Sequence, residues 1–288
     1  MAPESTPGAY SHDAAVSAIN SFLTFIKRMY GGVAGLRLPP PEGWPQMTLG
    51  LAQPLGLTPE AVRLLRYIPH FETDDVCIMR ECFPVDWVAR FEYYLRIIDE
   101  TGNPPPTGFE DWPELDPGYP PHIFEIGRPS SRYGCALIID TKRGVAIWHN
   151  VDGAPPFEGV PEPDADYEDD EAEPWGSQGW KRAPTYRIET FCAMAEEQLK
   201  IGNWVPELEA SGYMIQELRV YGQPNEEQRE RVKIMRDAGW PGEQWDASRA
   251  RDATDEWASQ KYQKEKARKE QEKALENAKD EVAMIDLE

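Results

Sequence analysis

The residue types that could carry out a reaction gather around one short stretch of the chain. Ser130 and Ser131 lie between Gly127 and Gly134, His149 ends an apolar run, and Asp140 and Asp152 are close by in sequence. A serine nucleophile needs a histidine to take its proton and a carboxylate to orient that histidine. Those types are present, but there is no Gly-x-Ser-x-Gly elbow to hold a serine in an exposed, strained turn. Serines beside Pro129 and a histidine at a strand end are also ordinary turn and boundary residues. The sequence therefore assigns no catalytic residue. Segment 127–134 lacks the Lys-Ser/Thr ending of a phosphate loop and no helical pattern follows it, so no cofactor site is assigned either.

Metal chemistry is equally thin. Asp164, Asp166 and Glu168 alternate as in a calcium loop, but the sixth position is Asp169 instead of glycine and the twelfth is Trp175 instead of a bidentate glutamate. His12, His70 and His122 have no paired ligands at metal spacing. Cys77 and Cys82 are five positions apart without a second pair, while Cys135 and Cys192 sit in apolar patterns that bury small hydrophobes. No metal site is expected. Four cysteines without a secreted disulfide framework fit a reducing compartment, cytoplasm or nucleus.

The elements that would position these residues centre on 123–149. Residues 123–127, 135–140 and 145–149 read as three strands, the last two joined by Thr141-Lys142-Arg143-Gly144, with glycine where a hairpin needs a left-handed residue. Leu137-Ile138-Ile139 and Val145-Ala146-Ile147-Trp148 are apolar at consecutive positions, which predicts a hairpin covered on both faces. Helical spacing of Val16, Ile19, Phe22, Leu23, Ile26 and Tyr30 predicts a helix over 13–30, capped by Ser11 or Asp13 and ended by Gly31-Gly32. Thr58 and Pro59 open a second helix that Pro69 stops. Segment 76–79 reads as a short strand. Segment 88–98 is ambiguous, with aromatic density favouring strand over 91–95.

Ile188, Phe191, Cys192, Ala195 and Leu199 form the clearest stripe, a helix over 187–201 with Thr185 as cap and Gly202 as stop; Trp204-Val205-Pro206 should pack on the sheet. Asn225 and Gln228 fit a capping box. Segment 261–280 is mostly Lys, Glu, Gln and Ala, a helix held by intrinsic propensity and charge pairs that projects into solvent.

Charge narrows the partners. A net charge of -21 repels phosphate backbones, so nucleic-acid binding is not expected and a basic protein partner suits the field. Residues 158–173 hold nine acidic side chains and no basic one, a run expected to stay disordered. No apolar stretch approaches the ~20 residues a bilayer needs, and the start of the chain lacks a basic segment followed by an apolar run, so no membrane association is expected.

Phe124-Glu125-Ile126-Gly127, Tyr133-Gly134, Leu137-Ile138-Ile139-Asp140-Thr141, Gly144-Val145 and Trp148 resemble the middle of the SUKH superfamily. That group includes yeast cell-wall-synthesis regulators and bacterial immunity proteins against secreted nuclease toxins. The helix with its following Trp204, and the fungal-type segment from Leu57 to Pro69, resemble the same family over roughly residues 57–206. The early Leu-Pro-x-x-Tyr and Asn-Gly signals of the family are absent as such, and 115–121 stands in their place. The resemblance implies a fungal, cytosolic, non-catalytic protein-binding or adaptor module, and supplies no catalytic residues.

The expectation is an α+β fold with a central, mostly antiparallel sheet and packed helices, an acidic disordered insert and a projecting charged C-terminal helix. Its organisation would be a disordered start over 1–11, one domain over 12–242 with an acidic loop at 155–178, and a helical tail over 243–288. The expected role is protein binding, with Arg132, Tyr133, Trp148 and His149 as the partner-binding edge, since Arg and aromatic side chains dominate interfaces; the simpler reading of Trp148 is a core residue. The alternative is a hydrolase or transferase with a pocket at the hairpin end built from His149, Asp140 or Asp152. Oligomeric state is left open.

Overall fold

The computed structural model describes residues 10–31, 35–52, 55–72, 76–103, 119–129, 134–150, 163, 179–208, 215–217 and 225–285, with backbone alone for 215–217 and 276–285. The acidic run and the expected disordered start lie outside the described residues, apart from Pro163 and residues 10 and 11.

The fold is α+β, and its first helices follow directly from local chemistry. Helix α1, His12–Tyr30, starts where the Ser11 side chain accepts from the Ala14 amide, carries Asp13 in its first turn and Lys27 and Arg28 in its last, and so matches the helix dipole at both ends. Its apolar stripe Ile19, Phe22, Leu23, Ile26, Met29 and Tyr30 is buried. Strand β1, Leu36–Arg37, pairs with β2, His70–Phe71, on either side of helix α2, Pro59–Tyr67. Thr58 caps α2 and Pro59 fills a first-turn position where no amide is needed. Ile68 is pushed to an extended conformation by the following Pro69, which ends the helix.

A five-stranded antiparallel sheet forms the centre, in the order β3-β4-β5-β6-β7. The strands are β3, Cys82–Pro84; β4, Ile123–Pro129; β5, Cys135–Asp140; β6, Val145–Asn150; and β7, Thr185–Arg187. The three strands expected from sequence are β4 to β6. In register, Ile138 faces Glu125 on one side and Ile147 on the other, while Leu137 faces Trp148. Alternation then sends Phe124, Leu137, Ile139, Ala146, Trp148 and Tyr186 to one face, into the main core. Ile123, Ala136, Ile138 and Ile147 go to the other, beneath Trp180 and Ala183. Two glycines are required by this arrangement. Gly144 closes the turn at φ +71, and a Cβ on Gly127, at the register shift in β4, would meet Cys82 Sγ at 2.6 Å and Ile78 Cδ1 at 2.7 Å.

Helix α4, Ile188–Ile201, follows β7 without a break, packs on β6 and β7, and carries α1 across its back. Strand β8, Trp204–Pro206, pairs with β9, Ile215–Glu217. Helix α5, Glu226–Asp237, opens with the expected capping box of Asn225 and Gln228, and helix α6, Ala247–Ile285, packs against it.

Three expectations are corrected. Segment 76–79 is not a strand. Val76, Cys77, Ile78 and Met79 are fully buried in a loop that bends back through a positive φ of 43° at Glu81, so their apolarity reflects burial and not pleat, and the strand is β3 just beyond. Segment 88–98 is helical, not extended: α3, Trp87–Thr101, is capped by Asp86, and Trp87, Val88, Phe91 and Tyr94 fall on one face. Thr185 does not cap α4; it lies in β7, and the N-cap is Arg187 without a side-chain bond.

Trp204 is 1 % exposed and stacks edge-on against Trp148 at 5.5 Å. Replacing it by alanine removes a large buried ring between β8 and the sheet. Trp204→Ala should lower unfolding stability by about 3–5 kcal/mol in urea titration, as for other buried aromatic truncations. A change under about 1 kcal/mol would show that β8 is not part of the cooperative core.

Candidate functional site

The hairpin separates the residues that a catalytic site would need together. Asp140 is fully buried at the turn end, where its Oδ1 accepts the amides of Lys142 at 2.8 Å and Arg143 at 3.1 Å. This is an Asx turn: the carboxylate shapes the reversal that Gly144 completes. His122 Nε2 lies 3.8 Å from the same carboxylate. His149 is at the opposite end of the hairpin, paired with Ala136 while Asp140 pairs with Val145. Four residues of strand separate them, about 13 Å at the usual rise. His149 is half-buried, its Nδ1 has no partner among the described residues, and burial pushes its pKa down to about 4, so the ring is neutral near pH 7. Ser130, Ser131, Arg132, Tyr133 and Asp152 lie outside the described residues.

Of the two readings of Trp148, a partner-binding edge and a core residue, the structure shows the core residue. Its ring turns into the core, 4 % exposed, against Phe191 at 6.2 Å and Trp204 at 5.5 Å. Strand β6 is not an edge at this point either: the Trp148 amide donates to Pro184 O at 2.9 Å, and β7 continues the sheet. The reason is alternation, since Trp148 shares the parity of Ala146 on the main-core face. Of the expected partner-binding set, only His149 retains partial exposure among the described residues.

The second face of the sheet holds a group that sequence reasoning passed over. Glu125 sits on β4 opposite Ile138, 3 % exposed, and accepts the Tyr119 hydroxyl at 3.0 Å. Its backbone carbonyl accepts the Trp87 indole N–H at 2.7 Å, and Arg90 lies over that indole at 5.2 Å. Burial raises the Glu125 pKa to about 7; the Tyr119 hydrogen bond and the charges of Arg90 and Arg128 pull it back only in part. Tyr119 in turn meets Trp180 edge-on at 5.5 Å, so carboxyl, phenol and indole form one stack over the sheet. The sequence signal was a lone glutamate inside an apolar strand, Phe124-Glu125-Ile126. Chemically, this group can hold or release a proton near neutrality.

Other candidate ligands are occupied structurally. His70 is 3 % exposed, its Nε2 sits 3.2 Å from Leu65 O, and burial lowers its pKa to about 4. It lines a cavity of ≈ 10 Å³ with Leu23, Phe71, Trp87 and Ile126. That is smaller than the ~300–1,000 Å³ of typical small-molecule sites. All four cysteines are buried and unbridged, and among the described residues no three metal-ligating side chains come together. No helix among the described residues is long and apolar enough to cross a membrane.

Glu125 gives a test with a definite sign. The unfolded carboxyl ionises near 4.5 and the folded one near 7. Between these values the unfolded state loses its proton first, so this residue's contribution to stability falls as pH rises and is fully lost above about 7. His70 and His149, held neutral, act oppositely as pH falls from 6.5 toward 4. Comparing Glu125→Gln with the parent cancels the histidine contributions. Glu125→Gln should gain about 3 kcal/mol relative to the parent between pH 4.5 and pH 8 in urea titrations. An unchanged difference across that range would mean that the carboxyl is charged in the fold.

In comparison with known proteins, no family model matches the chain, and neither does any curated protein or solved structure.

Proposed function

We propose that this chain is a protein-interaction or adaptor module of SUKH-like type, acting by binding in the cytoplasm or nucleus and meeting a basic protein partner. The observation that carries this reading is how the hairpin uses its polar groups. The Asp140 carboxylate is committed to two amides of its own turn, and His149 lies at the far end of the strand pair. A hydrolase or transferase site at the hairpin end would bring at least two of His149, Asp140 and Asp152 together; the register keeps Asp140 and His149 apart, and Asp152 lies outside the described residues. Of the residues that carry the family resemblance, Phe124 to Gly127, Leu137 to Asp140, Val145 and Trp148 fall on β4, β5 and β6, the centre of the sheet. A net charge of -21 supplies the long-range field that speeds encounter with a cationic surface.

The test is capture on the immobilised full-length chain from its own source, beside a variant with the carboxylates of 158–173 changed to amides. The expected result is a reproducible basic protein retained at about 0.15 M salt, where the screening length is about 8 Å, and released at about 1 M, where it is about 3 Å. The amide variant should retain much less of it. Equal retention by both forms, or no reproducible basic partner, would remove the reading.

A further inference from the structure

We infer that the distal part of α6 is a self-association surface that pairs with the same helix of a second copy in antiparallel orientation. Helix α6 runs for 39 residues, but among the described residues only its base is held by the body. Ala247, Ala250 and Thr254 are buried, and Arg231 and Lys261 lie over the Trp257 ring at 5.2 and 5.4 Å. Glu227 joins the two cations, pairing with Arg231 at 3.3 Å and contacting Lys261. Beyond that clamp every residue from 262 to 275 is exposed, including Tyr262 at 64 % and Leu275 at 59 %. Residues 262–285 make a rod about 36 Å long at the α-helical rise.

The charge along this rod is divided. Residues 261–275 hold six basic and three acidic side chains, and residues 276–285 hold one basic and three acidic. The first block is a cationic stretch on a chain whose net charge is -21. Two such rods side by side in parallel would set basic block on basic block and acidic on acidic. Reversing one sets each basic block against an acidic block, and the crossover falls near Leu275. Leu275 lies at that crossover, so the two copies of this one exposed leucine face each other there. A second copy thus matches the charge order across the whole overlap. An acidic partner would match the basic block alone. Because Leu275 is the one apolar residue that meets its own copy, the pairing rests on electrostatics and must be salt-sensitive.

The test uses the full chain. Sedimentation equilibrium should show a reversible dimer at low ionic strength that dissociates at about 1 M salt. One variant, Lys264→Glu, Lys266→Glu, Arg268→Glu and Lys269→Glu, makes the whole rod acidic; another, Glu276→Lys, Asp280→Lys and Glu281→Lys, makes it basic. Each alone should dimerise at least about tenfold more weakly, and an equimolar mixture of the two should associate. Orientation is read by oxidative cross-linking: Leu275→Cys should link to itself and Lys264→Cys should not. A monomer at every salt concentration, a dimer indifferent to salt and to the charge changes, or self-linking by Lys264→Cys would each overturn the inference. The substituted positions within 264–275 are exposed, so loss of the dimer is separable from loss of the fold by circular dichroism.

Discussion

The structure depends on one strand that has no outside. All six residues of β5 are buried, and both of its edges are hydrogen-bonded, to β4 and to β6. An antiparallel strand in that position cannot leave a wet face, so the chain must provide cover on two sides. One side is made by α4 with α1 behind it, the other by Trp180, Ala183 and Tyr119. Full burial of Leu137, Ile138, Ile139 and Ile147 favours folding by roughly 1.5–3 kcal/mol each, which is what pulls those covers in. The same closeness sets local chemistry. Gly127 has no room for a Cβ beside Cys82, and Glu125 keeps its carboxyl on the closed second face only by holding its proton near neutrality and accepting the Tyr119 hydroxyl.

Closing the elements around that strand leaves backbone carbonyls at helix ends and sheet edges, and indole N–H groups meet several of them. Trp44 donates to Ile68 O at the end of α2, Trp87 to Glu125 O on β4, Trp240 to Leu199 O in the last turn of α4, and Trp245 to Arg28 O and Met29 O in the last turn of α1. Helix C-termini carry the negative end of the dipole, and cations complete the set. Arg236 donates to Lys200 O and Arg251 to Tyr30 O, while Arg28 reaches Pro241 O and lies over the Phe25 and Trp240 rings at 5.4 Å. The ends of α1, α4 and α5 therefore meet around Trp240 and Trp245, and α6 starts from that junction. Its direction is fixed by packing of its base, although its outer part packs on nothing described.

What could be read in the sequence was whatever local chemistry decides. Ser11, Thr58 and the Asn225–Gln228 box act on amides within three residues, so their helices start where those residues predict. The central hairpin was legible for the same reason: an apolar run on both parities, with Gly144 at the turn, admits few alternatives. The failures come where tertiary burial imitates a local pattern. Residues 76–79 are apolar because a loop is buried, and in the aromatic cluster at 91–95 α3 buries Phe91 and Tyr94 on one face while Tyr93 stays exposed. The site was harder still. Trp148 has the composition of an interface anchor, and only strand parity sends it inward; Glu125 looked like one polar residue among many until burial gave it an unusual proton affinity.

Charge and fold are arranged on different parts of the chain. Residues 151–178 contain ten acidic side chains and no basic one, and residues 104–118 contain four and none, so two connecting segments account for most of the net -21. The sheet and its helices carry a nearly balanced mixture, paired locally as in Arg37 with Asp86 and Lys200 with Glu196. Both segments return to the described fold at neighbouring points, one at Tyr119 and the other at Gly179, and the Tyr119 and Trp180 rings are in contact over the second face. One end of each acidic segment therefore joins the fold beside the face that holds Glu125, while residues 151–178 also leave it at Asn150, next to His149.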